Sequence, residues 1–204
     1  MNIAVFVSGR GSNLRSIQNS IKNGEMKVKI VAVVSDKTDC AAFDFAHSEN
    51  IQTYSVFDAK RDGFSDYFSL TGSLLSSGVE LIVLAGFLKK IPVHFLESFR
   101  DKIINIHPAL LPAFGGKGMY GMNVHKAVFN SSAKVSGATV HFVNANYDEG
   151  KIIAQRCVEI EGVKSPEEIA EKVLKIEHEL LPFVVKKISE KKVFPNGNRI
   201  EILN

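Results

Sequence analysis

Apolar positions along the chain gather into short, near-continuous runs rich in valine and isoleucine: Ile3 to Val7, Val28 to Val34, Leu81 to Ala85 and Ile103 to Ile106. Between them lie stretches of helical spacing or polar turn residues, with candidate helices over Leu14 to Lys22, Cys40 to Ser48, Phe64 to Ser77 and Val93 to Phe99. Strands that are apolar on both sides need cover on both faces, which the right-handed crossover helices of a parallel sheet supply. After Pro108 the pattern changes. Val135 to Val143 and Lys151 to Ile160 are longer strand-like runs joined by a short polar turn, as in an antiparallel hairpin.

The last helix has the clearest start signal. Ser165-Pro166-Glu167-Glu168 combines a serine N-cap, proline at the first helical position and a glutamate that completes a capping box. Ile169, Val173, Ile176, Leu180 and Val184 then form one apolar stripe, and Pro182 is expected to kink or end the helix. The predicted class is α/β: a three-layer open sheet, mostly parallel in the N-terminal half and Rossmann-like, with antiparallel strands in the C-terminal half. No repeat or linker interrupts it, so residues 1–204 read as a single domain.

Composition narrows the class of partner. The 204 residues are 45% hydrophobic and 23% charged, enough to bury a sizeable core and too apolar for disorder. The net charge of +3 is spread as single and paired lysines, which argues against a nucleic-acid footprint. Cys40 and Cys157 lack metal or disulfide-framework spacing, and no apolar run approaches the ~18 residues of a membrane helix. A soluble, cytoplasmic protein without metal is the expectation.

Four segments carry candidate chemistry. Ser8-Gly9-Arg10-Gly11-Ser12-Asn13 follows the first strand and opens the first helix, where free backbone N–H groups and the helix dipole suit a phosphate. An ordinary tight turn capped by Ser12 or Asn13 is an equal reading; dinucleotide binding fits less well, because Leu14 stands where a third glycine belongs. In Asn105-Ile106-His107-Pro108, the amide and the imidazole are two apart and project together from a strand that Pro108 stops. That pair suits acyl chemistry, with an amide donating to a developing oxyanion and an imidazole moving a proton. The turn Asn144 to Gly150 offers Asp148 or Glu149 to orient a histidine. Glu177 lies on the flank of the last helix's apolar stripe, with His178 turned toward solvent, and His47, His94 and His125 read as surface or packing residues.

Taken in order, N-I-A-V-F-V-S-G-R-G-S-N from Asn2, V-L-A-G-F from Val83, N-I-H-P-A-L-L-P from Asn105, G-A-T-V-H-F-V from Gly137, D-E-G-K-I-I-A-Q from Asp148 and the late E-H at Glu177 resemble the phosphoribosylglycinamide formyltransferase family. The resemblance covers the chain from Asn2 to about Lys187. It implies transfer of a formyl group from 10-formyltetrahydrofolate to the amine of glycinamide ribonucleotide, in purine synthesis. It also implies that Asn105, His107 and Asp148 are catalytic, with a protonated His107, and that Gly11, Ser12, Asn13 and Glu177 bind the ribonucleotide. The folate pocket maps onto Leu88, Lys89, Lys90, Ile91, Asn105, and Asn144, Ala145, Asn146, Tyr147 and Asp148, with Arg61 as a folate-tail residue. The four-glycine stretch Ala113 to Met122 is longer than the loop of many relatives, and Lys89-Lys90 occupies a segment that often carries arginine. The implied partners are small molecules, and the implied assembly is a monomer or homodimer. A formyltetrahydrofolate hydrolase and a non-catalytic nucleotide-binding module are the alternative readings.

Overall fold

A computed structural model describes residues 1–58 and 61–203. It divides into two compact units, Met1–Asn105 and Ile106–Asn204.

The first unit is built from β1 (Asn2–Val7), α1 (Ser12–Lys22), β2 (Lys29–Ser35), α2 (Ala42–Ser48), β3 (Gln52–Ser55), α3 (Tyr67–Ser76), β4 (Val79–Leu84), α4 (Val93–Ser98) and the start of β5 (Ile103–His107). All of its strand pairs are parallel: β2 lies between β3 and β1, and β4 lies between β1 and β5. Ile3 through Val7 are all fully buried, as a strand covered on both faces requires. Phe6 anchors an aromatic cluster, meeting Phe87 at 5.4 Å and Phe95 at 5.8 Å, both edge-on.

Three local readings are corrected here. Helix α1 begins at Ser12, and neither Ser12 nor Asn13 caps it; Gly11 takes that position with φ 72° and no side-chain hydrogen bond. A Cβ on Gly11 would stand 2.9 Å from the Ala42 Cβ, so the backbone conformation and the close approach both require glycine. Helix α3 starts three residues later than the apolar pattern suggested, because the Asp66 carboxylate accepts from the Ser69 N–H at 2.8 Å and fixes the N-terminus. Strand β3 was missed because its four residues, Gln52 to Ser55, are mostly polar and half-buried at the sheet edge.

The second unit takes the end of β5, then α5 (Met122–Asn130), β6 (Val135–Phe142), β7 (Ile152–Glu159), α6 (Pro166–Ser189), β8 (Val193–Asn196) and β9 (Arg199–Ile202). β6 and β7 pair antiparallel, as the hairpin pattern predicts. Parallel strands in the first half and antiparallel ones in the second are the α/β arrangement expected. The Ser165 hydroxyl caps α6 by accepting from the Glu168 N–H. Pro182 does not end α6, which runs on to Ser189. Pro182 is itself buried beside Leu180, Leu181, Val184 and Val185, so packing of the apolar face offsets the hydrogen bond that proline removes. Helix α5 and the β8–β9 hairpin had no counterpart in the apolar pattern. Among the described residues no helix is long and apolar enough to cross a membrane.

Candidate active site

The second unit brings His107 and Asp148 together. His107 ends β5, and Asp148 sits in the turn between β6 and β7 with φ 58°; His107 Nδ1 lies 3.6 Å from Asp148 Oδ2. The segment after His107 is pinned from below. Thr139 Oγ1 donates to the Ala109 carbonyl at 2.6 Å and accepts from Leu111 N–H and Gln155 Nε2, while Gln155 Nε2 also donates to the Leu111 carbonyl. The hydroxyl thus uses its donor and both acceptor sites in a fully buried position, which holds the Pro108 turn rigid. Gly137 permits this approach: a Cβ there would sit 2.1 Å from the Arg156 carbonyl oxygen and 2.8 Å from Leu110 Cδ2.

A third residue joins the pair. His141, on β6 and only 2% exposed, places Nε2 3.6 Å from Asp148 Oδ1, while its Nδ1–H donates to the Phe142 carbonyl at 2.8 Å. The Asp148 carboxylate is therefore flanked by an imidazole on each oxygen, and Oδ2 also accepts from the Gly116 N–H at 2.8 Å. Of the two carboxylates that the turn offered, Asp148 meets the histidines; Glu149 Oε2 instead accepts from Asn146 Nδ2 within the turn. His141 was missed because a histidine inside an apolar strand reads as core. Its position seven residues before Asp148, across a hairpin turn, is the signal that places it there.

The long glycine-bearing loop is part of this arrangement. The His107 Nε2–H donates to the Phe114 carbonyl at 2.9 Å, and Gly116 holds Asp148, so residues 114–116 close over both groups. Gly115 is required, since a Cβ would come 2.5 Å from Leu111 Cδ2 and 3.2 Å from the Asp148 Cβ.

Electrostatics follow from burial. Desolvation pushes the His107 imidazole below the usual histidine range; Asp148 and the Phe114 carbonyl oppose this, and His141 adds to it. Burial thus favours the neutral imidazole in the free protein. With its proton on Nε2 toward Phe114, its bare Nδ1 faces the Asp148 carboxylate. Burial alone would raise Asp148, but the His141 imidazole, His107 when it carries charge, and the Gly116 N–H together hold its carboxyl below the usual range.

The remaining residues are found as follows. Asn105 is two positions before His107 on β5 and half-buried. In the first unit, Gly11 and Asn13 are buried and Ser12 half-buried at the start of α1. Leu88 N–H donates to Ser8 Oγ at 2.9 Å, joining the turns after β1 and β4; Ile91 is buried, and Leu88, Lys89 and Lys90 are exposed. Arg61 is exposed and lies over the rings of Phe57 and Phe64, at 5.2 and 4.9 Å from their centroids. In the second unit, Asn144, Ala145, Asn146 and Tyr147 form an exposed turn, with Asn146 N–H bonded to Asn144 Oδ1. Glu177 is 9% exposed, deeper than a helix flank suggests. His178 is not solvent-facing: its Nε2 is buried, and burial holds its pKa below the usual range. His125 is likewise buried in α5. Among the described residues no group of three or more His, Cys, Asp and Glu is arranged to hold a metal ion.

The sequence profile of the family described as Formyl transferase matches residues 1–185. The chain belongs to the formyl transferase family. It is 46% identical over 194 residues to the chloroplastic phosphoribosylglycinamide formyltransferase of Arabidopsis thaliana, an overlap of 94% of this chain and 66% of that protein. It is 35% identical over 187 residues to the phosphoribosylglycinamide formyltransferase of Bacillus subtilis strain 168, covering 91% of this chain and 93% of that one. The crystal structure of glycinamide ribonucleotide transformylase 1 from Symbiobacterium toebii superposes with a TM-score of 0.87 at 30% identity, over 100% of this chain and 94% of that chain. The chain spans slightly less than two thirds of the length of the plant relatives it matches.

Proposed function

We propose that this formyl transferase family member moves the formyl group of 10-formyltetrahydrofolate to the amine of glycinamide ribonucleotide, as a step of purine synthesis. The observation that carries the reading is the buried His107–Asp148 pair with its second imidazole, in a chain whose relatives include named phosphoribosylglycinamide formyltransferases. Residues 1–204 act as one formyltransferase domain, the family match running through both compact units. The partners are small molecules, the assembly is a monomer or homodimer, and the location is the cytoplasm, supported by the free thiols of Cys40 and Cys157. The plant relatives are named as chloroplastic, so a fusion that reports location tests the last point.

In the proposed reaction the neutral amine attacks the formyl carbon. One N–C bond forms, the bond to the folate N10 breaks, and a proton passes from the amine to N10. The Asn105 amide donates to the oxyanion of the tetrahedral adduct. His107 enters neutral with Nδ1 able to take a proton, and the imidazolium then formed is stabilised by Asp148 at 3.6 Å. Gly11, Ser12, Asn13 and Glu177 hold the ribonucleotide. Leu88 to Ile91, Asn144 to Asp148 and Arg61 hold the folate.

Folate release measured with and without glycinamide ribonucleotide tests this directly. Amine-dependent release supports transfer. Amine-independent release identifies a hydrolase, and none at all identifies a non-catalytic nucleotide-binding module.

A further inference from the structure

Ser8, at the carboxyl end of β1, stands between two segments of the first unit that the proposed function assigns to different reactants. The ladder joining β1 to β4 runs on past both strands: Ala85 N–H donates to the Phe6 carbonyl at 2.8 Å and Ser8 N–H to the Gly86 carbonyl at 3.0 Å. There the backbones part. β1 leads into the Gly9–Gly11 turn, and β4 into a turn that opens at Gly86 with φ 79°. The next bond is made by a side chain, for Ser8 Oγ accepts from the Leu88 N–H at 2.9 Å. Ser8 is 3% exposed and the adjoining Phe87 is buried edge-on against Phe6, so the bond sits at the margin of the core and not in open solvent. The same turn is held on its other flank by Cys40, also buried, whose Sγ–H donates to the Gly9 carbonyl at 3.3 Å. Cys40 follows β2, which borders β1 on the side away from β4.

Resting on the formyl-transfer reading, we propose that Ser8 is a positioning residue that sets the ribonucleotide and the folate in register with one another. In that reading Gly11, Ser12 and Asn13 hold the ribonucleotide, just beyond Ser8 in the chain, and the folate segment Leu88 to Ile91 begins with the residue whose N–H Ser8 grips. One hydroxyl therefore ties the two binding segments together, and neither reactant touches it. What it secures is a separation. A displacement of ~1 Å between reacting groups can cost about a hundredfold in rate even where each reactant still binds. Removing the hydroxyl cuts the link and leaves the backbone bonds of both turns in place.

The test compares Ser8→Ala, Ser8→Thr and Cys40→Ala. Amide hydrogen exchange at Leu88, read by NMR with and without glycinamide ribonucleotide, follows the bond itself. Calorimetry with glycinamide ribonucleotide alone and with tetrahydrofolate alone reads binding without turnover, and steady-state kinetics give kcat.

In the wild type, glycinamide ribonucleotide is expected to slow exchange of the Leu88 N–H, because a ligand that orders the turn holds Ser8 with it. Ser8→Ala is expected to speed that exchange about fivefold or more and to abolish its response to the ribonucleotide. It should lower kcat about tenfold while each reactant alone binds within about threefold of wild type. Ser8→Thr keeps a hydroxyl and recovers both. Cys40→Ala loosens the turn from the β2 side, so it weakens ribonucleotide binding and leaves the Leu88 response intact. A wild-type Leu88 N–H that exchanges as freely as an unbonded amide, or that ignores the ribonucleotide, overturns the assignment. So does a loss of kcat in Ser8→Ala matched by an equal loss of affinity, or the same pattern produced by Cys40→Ala. If the alanine variant does not fold, the wild-type exchange and the threonine variant decide, and a threonine variant without the Leu88 response overturns the assignment. The two readings fail separately. A Ser8-dependent Leu88 response without formyl transfer by the wild type sinks the reaction and keeps the link; transfer with Leu88 exchange indifferent to Ser8 does the reverse.

Discussion

Replacing Asp148 by asparagine removes one negative charge while keeping the shape and an acceptor for the Gly116 N–H. In the free protein burial favours the neutral His107 imidazole, which reduces the Coulomb energy lost there. The loss falls where the imidazolium forms. A unit charge pair at the 3.6 Å separation, in an effective dielectric of ~20, attracts by roughly 4 to 5 kcal/mol. Hydrogen bonds to charged groups contribute about 1.5 to 3 kcal/mol net by mutation, a lower bound that includes resolvation. Asp148 is 12% exposed at its side chain, so screening is partial and the Coulomb figure is an upper bound. A loss of about 2 to 4 kcal/mol at the transition state follows, roughly thirty- to a thousandfold in kcat. The assay is formyl transfer followed by folate release at saturating reactants, with reactant affinities and Tm measured on the same samples. KM for the amine should change little, because the charge acts only as the proton arrives. A folded Asp148→Asn protein with kcat within threefold of wild type would refute the proton-acceptor role of His107 and the pairing that supports it.

Three further outcomes test other parts of the structure. His141→Phe removes the largest stabilising contact of the Asp148 carboxylate, so the Asp148 pKa should rise toward its ordinary value, read by carboxyl-carbon NMR titration; an unmoved titration sinks the role of His141. Gly150→Ala places a Cβ 1.7 Å from the Phe142 carbonyl oxygen and should lower stability by about 3 kcal/mol or more in urea, whereas Gly24→Ala, with nothing within 4 Å, bears only the cost of its φ of 75°. His107, His125 and His178 all have folded-state pKa values depressed from 6.5, so below pH ~6.5 the unfolded chain binds more protons than the native one. Stability should therefore fall as pH drops from about 6.5 toward those folded values, by up to about 1.4 kcal/mol per pH unit for each excess proton, and His178→Asn should flatten the slope in thermal melts from pH 7.5 to 5.5.

Legibility in the sequence depended on how much of each signal was local. Strands β1, β2, β4 and β5 lie within two residues of their apolar runs, because continuous Val and Ile describe a strand covered on both faces. Ser165 and Pro166 fixed the start of α6 to the residue, since a cap acts over one turn. Pro182 was misjudged for the opposite reason. A proline's local penalty is visible in the chain, but the buried face that offsets it belongs to elements far away in sequence. Strand β3 and the β8–β9 hairpin failed similarly: polar half-exposed strands owe their existence to pairing partners, not to their own periodicity.

The same distinction separates the residues of the site from their chemical state. Motif strings located His107 and Asp148, and strand alternation supplied the facing of Asn105. The direction in which the His107 pKa moves had to come from three dimensions, because desolvation is the largest influence on it and burial is a sum over the whole surrounding unit. The carboxylate beside it opposes that effect without overcoming it. This balance suits the reaction proposed. An imidazole already charged by Asp148 would have no lone pair to offer, whereas a neutral Nδ1 facing an ionised Asp148 gains stabilisation only as a proton reaches it. In the proposed reaction, burial of His107 and the clamping of Asp148 by His141 and Gly116 would act in one direction: they would reserve the attraction of the pair for the transition state instead of expending it in the resting protein.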